Sequence, residues 1–91
     1  MQVKHSELER RLSALGQSIE GRLDDQQRRW FAEYLDAGEL EVALEMVADW
    51  LSEAQHPITA TERAEAEALA QAMGNHGRVM RPLSLCPDDA P

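Results

Sequence analysis

Residues 30–54 run WFAEYLDAGELEVALEMVADWLSEA. Leu40, Leu44, Val47 and Leu51 recur at spacings of four, three and four, the rhythm of one face of an α-helix. Just before them, Trp30, Phe31, Tyr34 and Leu35 make a second apolar stripe at helical spacing. Gly38 stands between the two stripes, and glycine accepts the left-handed conformation common just past a helix end. So short a connection predicts two helices folded back on each other as an antiparallel hairpin. Of the four aromatic residues only Trp50 lies outside the first of these helices, which makes that helix the expected anchor of the core. The predicted core is therefore Trp30, Phe31, Tyr34, Leu35, Leu40, Leu44, Val47 and Leu51.

The pattern extends outward on both sides. Leu8, Leu12, Leu15 and Ile19 form one stripe, and Ser6 followed by Glu9 has the spacing of a capping box, so Ser6–Ile19 is read as the first helix. Gly16 and Gly21 weaken its far end. The second helix begins near Asp24, where Asp24 and Asp25 suit the positive end of the helix dipole. The third runs from about Glu39 to Ala54, and Pro57 closes the connection after it. Thr59 and Glu62 make another capping-box spacing ahead of the alanine-rich run 64–70, the fourth helix. Leu69, Ala72 and Met73 are its expected inward positions, with Gly74 and Asn75 at its end. Beyond them Pro82, Pro87 and Pro91 punctuate an extended tail. No segment alternates strictly between apolar and polar residues, as a half-buried strand would. The expected fold is all-α: a small antiparallel bundle of about four helices over residues 1–76, with a flexible Pro-containing tail over 77–91. Truncation after Asn75 is then expected to leave the melting temperature nearly unchanged.

A length of 91 residues allows one domain with a modest core. No apolar run approaches the length of a membrane span. The start Met1-Gln2-Val3-Lys4-His5 lacks the order of a signal peptide, so the expected compartment is the cytoplasm. Cys86 is the single cysteine; it excludes an internal disulfide and reads as a bystander thiol. The net charge of −8 is unevenly spread. Residues 31–70 hold ten acidic groups against Arg63 alone, a balance of −9. A field of one sign repels phosphate backbones and anionic membranes and attracts basic partners.

Catalytic patterns are missing from the sequence. His5, His56 and His76 have no metal-ligand spacing. The serines sit in no nucleophile motif, and Gly74-Asn75-His76-Gly77 follows a helix and lacks the lysine of a phosphate loop. The expectation is a non-enzyme with no catalytic residue, cofactor, metal or small-molecule substrate.

The third helix carries the informative surface. Glu41, Glu45, Asp49 and Glu53 are spaced by four and form one carboxylate row. Like charges at that spacing oppose the helix by about 0.2–0.5 kcal/mol per pair, and residues 39–54 contain no lysine or arginine to relieve them. A solvated face usually mixes both signs. At about 100° per residue, Val42 and Met46 fall beyond the core stripe and Trp50 lies at its boundary. Trp50 can be core covered by a flanking helix, or an anchor within an acidic rim.

Five segments give the chain a resemblance to a known group. They are Leu35-Asp36-Ala37-Gly38-Glu39, Ala43-Leu44-Glu45, Asp49-Trp50-Leu51, Pro57-Ile58-Thr59 and Ala72-Met73-Gly74. In this order the chain resembles the MafI-like immunity proteins of bacterial polymorphic toxin systems over residues 35–74. The first thirty residues and the C-terminal end carry none of these motifs. The resemblance implies a cytoplasmic protein that binds and neutralises one cognate toxin domain. An acidic inhibitor can fill the basic cleft of a toxin that acts on an anionic substrate. The expected toxin-binding residues are Asp36, Glu39, Glu41, Glu45, Met46, Asp49, Trp50 and Glu53. A non-enzymatic adaptor or regulatory interaction module, and a helical module that only oligomerises, are the competing classes.

The fold reading predicts that Leu44→Ala costs about 2–5 kcal/mol, as for other buried leucine truncations. A denaturant titration showing a loss below about 0.5 kcal/mol would place Leu44 outside the core.

Overall fold

Helix α3, Leu40–Glu53, is the member around which the others are arranged in the computed structural model, which describes residues 4–89. Before it come α1, His5–Ile19, a single 3₁₀ turn at Glu20–Arg22, and α2, Asp25–Asp36. After it come α4, Ala60–Met73, and α5, His76–Leu83. Met1–Val3 and Pro91, used in the readings above, lie outside the described residues. Among the described residues there is no strand, only an isolated parallel bridge between Ile58 and Asp88, and no helix is long and apolar enough to cross a membrane.

Helix α3 touches all four other α-helices. Its Ala43, Leu44 and Ala48 have no exposed surface, and Leu40, Val47 and Leu51 are buried beside them. Helix α1 contributes Leu8, Leu12, Leu15 and Ile19, the predicted stripe. Helix α2 closes on α1 through Phe31. A Cβ built on Gly16 would lie 2.4 Å from the Phe31 ring, so the glycine that weakens α1 is what lets the ring in. From α4 the buried apolar residues are Ala66, Leu69 and Ala70. Ala72 is exposed, against expectation, because the face of α4 turned to the core runs through 66, 69 and 70 rather than through 69, 72 and 73; Met73 is partly buried.

The helix ends follow local chemistry. Asp24 caps α2 in a capping box with Gln27, and Thr59 caps α4 in one with Glu62. Ser6 caps nothing: α1 begins one residue earlier, with Lys4 at the N-cap and no side-chain cap. At Gly38, φ is 73°, the Gly38 N–H reaches Leu35 O at 3.0 Å and the Glu39 N–H reaches Tyr34 O at 2.8 Å, a Schellman closure. Gly74, with φ 81°, closes α4 the same way through Asn75 N–H to Ala70 O at 3.0 Å. Helix α3 ends on Gln55 at φ 53°, a left-handed residue that is not glycine.

The expected tail is the main correction. Residues 76–83 form α5, which packs on both α3 and α4, and Val79, Leu83 and Cys86 are buried in the common core. The chain after it is held by Arg63, whose Nη1 donates to Leu83 O at 2.8 Å and whose Nη2 donates to Cys86 O and Asp88 Oδ1, each at 3.0 Å. Ile58 N–H to Pro87 O at 3.0 Å and Asp89 N–H to Ile58 O at 2.8 Å complete the tie. Proline in a helix removes one N–H and reads as a breaker. Pro82 sits near the end of α5, where the short helix tolerates it, and Arg63 caps the helix end at Leu83 O.

Helices α1 and α4 are joined by charge. Glu62 is only 7 % exposed. Its Oε1 accepts from Thr59 N–H at 2.9 Å and from Arg22 Nη1 at 2.7 Å; its Oε2 accepts from Arg22 Nη2 at 3.1 Å and from Ser18 Oγ. Burial alone would raise its pKa, but these donors hold the carboxylate at about 2. Arg11 forks onto Glu65 nearby, Nε to Oε2 at 3.0 Å and Nη2 to Oε1 at 2.7 Å.

Four measurements test this architecture. Truncation after Asn75 removes Val79, Leu83 and Cys86 from the core, so it should abolish the cooperative thermal transition rather than leave it unchanged; Leu83→Ala alone should cost about 2–5 kcal/mol. Gln55→Gly should stabilise by about 0.5–1 kcal/mol by removing the left-handed penalty, read from the denaturation midpoint. The folded-state pKa of Glu62 lies below its ordinary 4.5, so its contribution is complete above that pH and is lost as pH falls toward 2. That contribution is on the order of 3 kcal/mol, and acid titration of Glu62→Gln should lack this component.

Candidate partner-binding face

Two neighbours flank α3 and leave one strip of it open. Helix α2 covers one side through Trp30, which stacks on Trp50. Helix α5 covers the other through Arg78, which pairs with Asp49. At about 100° per residue, the strip between these flanks carries Val42, Met46 and Glu53. Val42 is half-buried, Met46 packs partly against the core and Glu53 is exposed. Glu39, exposed, begins the strip, and Asp36, exposed, ends α2 across the Gly38 turn.

The carboxylate row is not left to repel itself. Arg78 Nη1 donates to Asp49 Oδ1 at 2.9 Å and Nη2 to Oδ2 at 2.7 Å, while Nε lies 3.9 Å from Glu45 Oε1. Asn75 Nδ2 donates to Glu45 Oε2 at 3.0 Å and approaches Glu41 O at 3.4 Å. The bidentate bond to Asp49 raises the Arg78 pKa further, outweighing the opposing effect of burial. Glu45 and Asp49 are thus seam residues between α3 and α5. The relief that residues 39–54 lack arrives from a segment read as tail. Glu41 and Glu53, at the two ends of the row, are exposed and have no ion-pair partner among the described residues; the same holds for Asp36 and Glu39.

The aromatic assignments exchange places. Trp50 is 7 % exposed and belongs to the core, while Trp30, expected in the core, is 42 % exposed. The two rings stack with centroids 6.1 Å apart and planes 22° apart. Trp30 was legible in part: adjacent helical residues point about 100° apart, so Trp30 and Phe31 cannot both face α1. Phe31 takes that place against Gly16, and Trp30 turns to the edge. Tyr34, one turn on, is partly buried against the core.

Other polar groups are committed elsewhere. The groove between α1 and α4 is lined by Arg11, Ser18, Glu62 and Glu65, but these satisfy one another. Cys86 is buried, and burial pushes its thiol pKa up, which makes it a poor nucleophile. Among the described residues no three or more His, Cys, Asp or Glu side chains gather as metal ligands.

Arg78→Met should cost under about 1 kcal/mol, because the Arg78–Asp49 pair is partly exposed, and the loss should shrink in high salt. A larger loss by denaturant titration would make the α3–α5 seam electrostatic rather than apolar. No family model, curated protein or solved structure matches this chain.

Proposed function

We propose that this chain is a non-enzymatic binding protein for a partner with a basic surface, and that it serves as an immunity protein neutralising a cognate toxin domain in the cytoplasm. The observation that carries the binding reading is the half-exposed Trp30 at the edge of a surface rich in unpaired carboxylates. From Trp30 to Glu62 there is no lysine or arginine. Aromatic residues dominate interface energetics, and unpaired rim charges steer encounter. The immunity reading rests on the resemblance over residues 35–74. Within it, Ala43, Leu44, Leu51 and Ile58 are buried, Thr59 is a cap and Gly74 a left-handed turn. Asp36, Glu39 and, in part, Glu45 and Asp49 are its surface members.

The toxin-binding surface in this reading comprises Asp36, Glu39, Glu41 and Glu53 as steering charges, Trp30 and Met46 as apolar contacts, and Trp50 as the support beneath Trp30. Glu45 and Asp49 contribute through the Arg78 seam. The carboxylates pair with the toxin's Lys or Arg side chains that otherwise hold an anionic substrate.

Charge reversal at Glu41 and Glu53 leaves the seam intact and separates steering from folding. The double variant Glu41→Lys/Glu53→Lys should slow association with a toxin domain encoded by an adjacent gene and flatten its salt dependence, with little change in dissociation. Trp30→Ala should cost about 2 kcal/mol of binding or more. Wild-type kinetics and protection in both variants would remove this face from the interface. Binding to a different cellular partner, with none to the adjacent toxin, would leave an adaptor.

A further inference from the structure

The Trp30–Trp50 stack has one free face. Trp50 covers the inner side of Trp30 and is itself buried, so the indole of Trp30 is held in place rather than free to rotate. Its outer part is open to solvent at the edge of the α2–α3 hairpin. One exposed carboxylate lies a helical turn along from each tryptophan: Glu33 follows Trp30 by three residues on α2, and Glu53 follows Trp50 by three on α3. Neither has an ion-pair partner among the described residues. Purely apolar partners would strand these charges, and anionic ones would be repelled.

We infer that this patch is an arginine-binding site, in which a guanidinium from the partner protein stacks on the outer face of Trp30 and pairs with Glu33 or Glu53. The inference rests on the binding reading above and specifies its chemistry. A flat, weakly hydrated guanidinium matches a supported indole face and donates in its own plane to a carboxylate beside the ring. A lysine ammonium has the charge but not the plane. The chain already holds carboxylates with arginine forks at Asp49, Glu62 and Glu65, each gripped through two nitrogens.

Both tryptophans of the chain lie in this one patch, so its intrinsic fluorescence reports the site. The full chain is titrated with a nine-residue arginine peptide and a nine-residue lysine peptide at equal ionic strength, with affinities from calorimetry. The arginine peptide should bind at least about threefold tighter than the lysine peptide and perturb tryptophan emission. Trp30→Leu, checked for an unchanged melting transition, should bring the two peptides to within about twofold of each other; Trp30→Tyr should retain part of the arginine preference. Equal affinities for the two peptides, or an arginine preference that survives Trp30→Leu, would overturn the inference. So would emission that changes on dilution without peptide, since the face would then be covered by a second copy of the chain. The titration uses no toxin: an arginine preference without binding to the adjacent toxin sinks the immunity reading alone, and toxin binding without that preference sinks this inference alone.

Discussion

Ala43, Leu44 and Ala48 reach zero exposure because four helices close over the inner face and flanks of α3. A helix surrounded this way has little surface on which to place charge. Yet α3 carries Glu41, Glu45, Asp49 and Glu53 in a single row. The row must then run along the boundary between buried and open faces, and the helix on that boundary must answer it. Helix α5 does so with Arg78 and Asn75. Arg78 is partly exposed, so its pairs contribute under about 1 kcal/mol, enough to offset the repulsion between neighbouring carboxylates of the row, while Val79 and Leu83 in the core carry the docking of α5.

The same logic recurs at Glu62, where a cap, a serine and an arginine meet one carboxylate. There the local and the tertiary signals coincide. Thr59 and Glu62 are readable as a cap three residues apart, and the cap places the carboxylate where Arg22 and Ser18 can find it. The sequence shows the first contact and hides the second, because Ser18 lies 44 residues away and Arg22 lies 40.

That division explains what was legible. Periodicity located α1 and α3, whose apolar stripes run for three turns, while α2 was read from its aromatic cluster and α4 from its cap and alanine-rich run. The Gly38 and Gly74 turns and the Asp24 and Thr59 caps were readable because each is made within a few residues. Helix α5 was not, because eight residues containing Gly77 and Pro82 have low intrinsic helicity. Its stability comes from Val79 and Leu83 in the core and from Arg63 and Arg78 bonds to other segments. The apolar character of Val79, Met80, Leu83 and Leu85 was the available signal; all but Leu85, which is 70 % exposed, turned out to be packed at least in part. The site was half legible for a related reason. A helical wheel tells which residues share a face, but not which neighbour covers it, and so it could not decide between Trp30 and Trp50.

The exchange of the two tryptophans changes what the surface can do. An anchor on α3 itself would have been set behind α2 and α5, reachable only through the narrow strip at Val42 and Met46. Trp30 instead stands on the outer helix of the hairpin, with Trp50 fixing its inner face. An aromatic ring already immobilised loses little conformational entropy when a partner lands on it. The pairs made by Arg78 have a parallel consequence: they offset charge in the middle of the row and leave Glu41 and Glu53 at its ends, with Asp36 and Glu39 at the turn, as exposed carboxylates without an ion-pair partner among the described residues. Charge placed around an apolar patch rather than under it gives a partner attraction at long range without requiring desolvation of a buried carboxylate on contact.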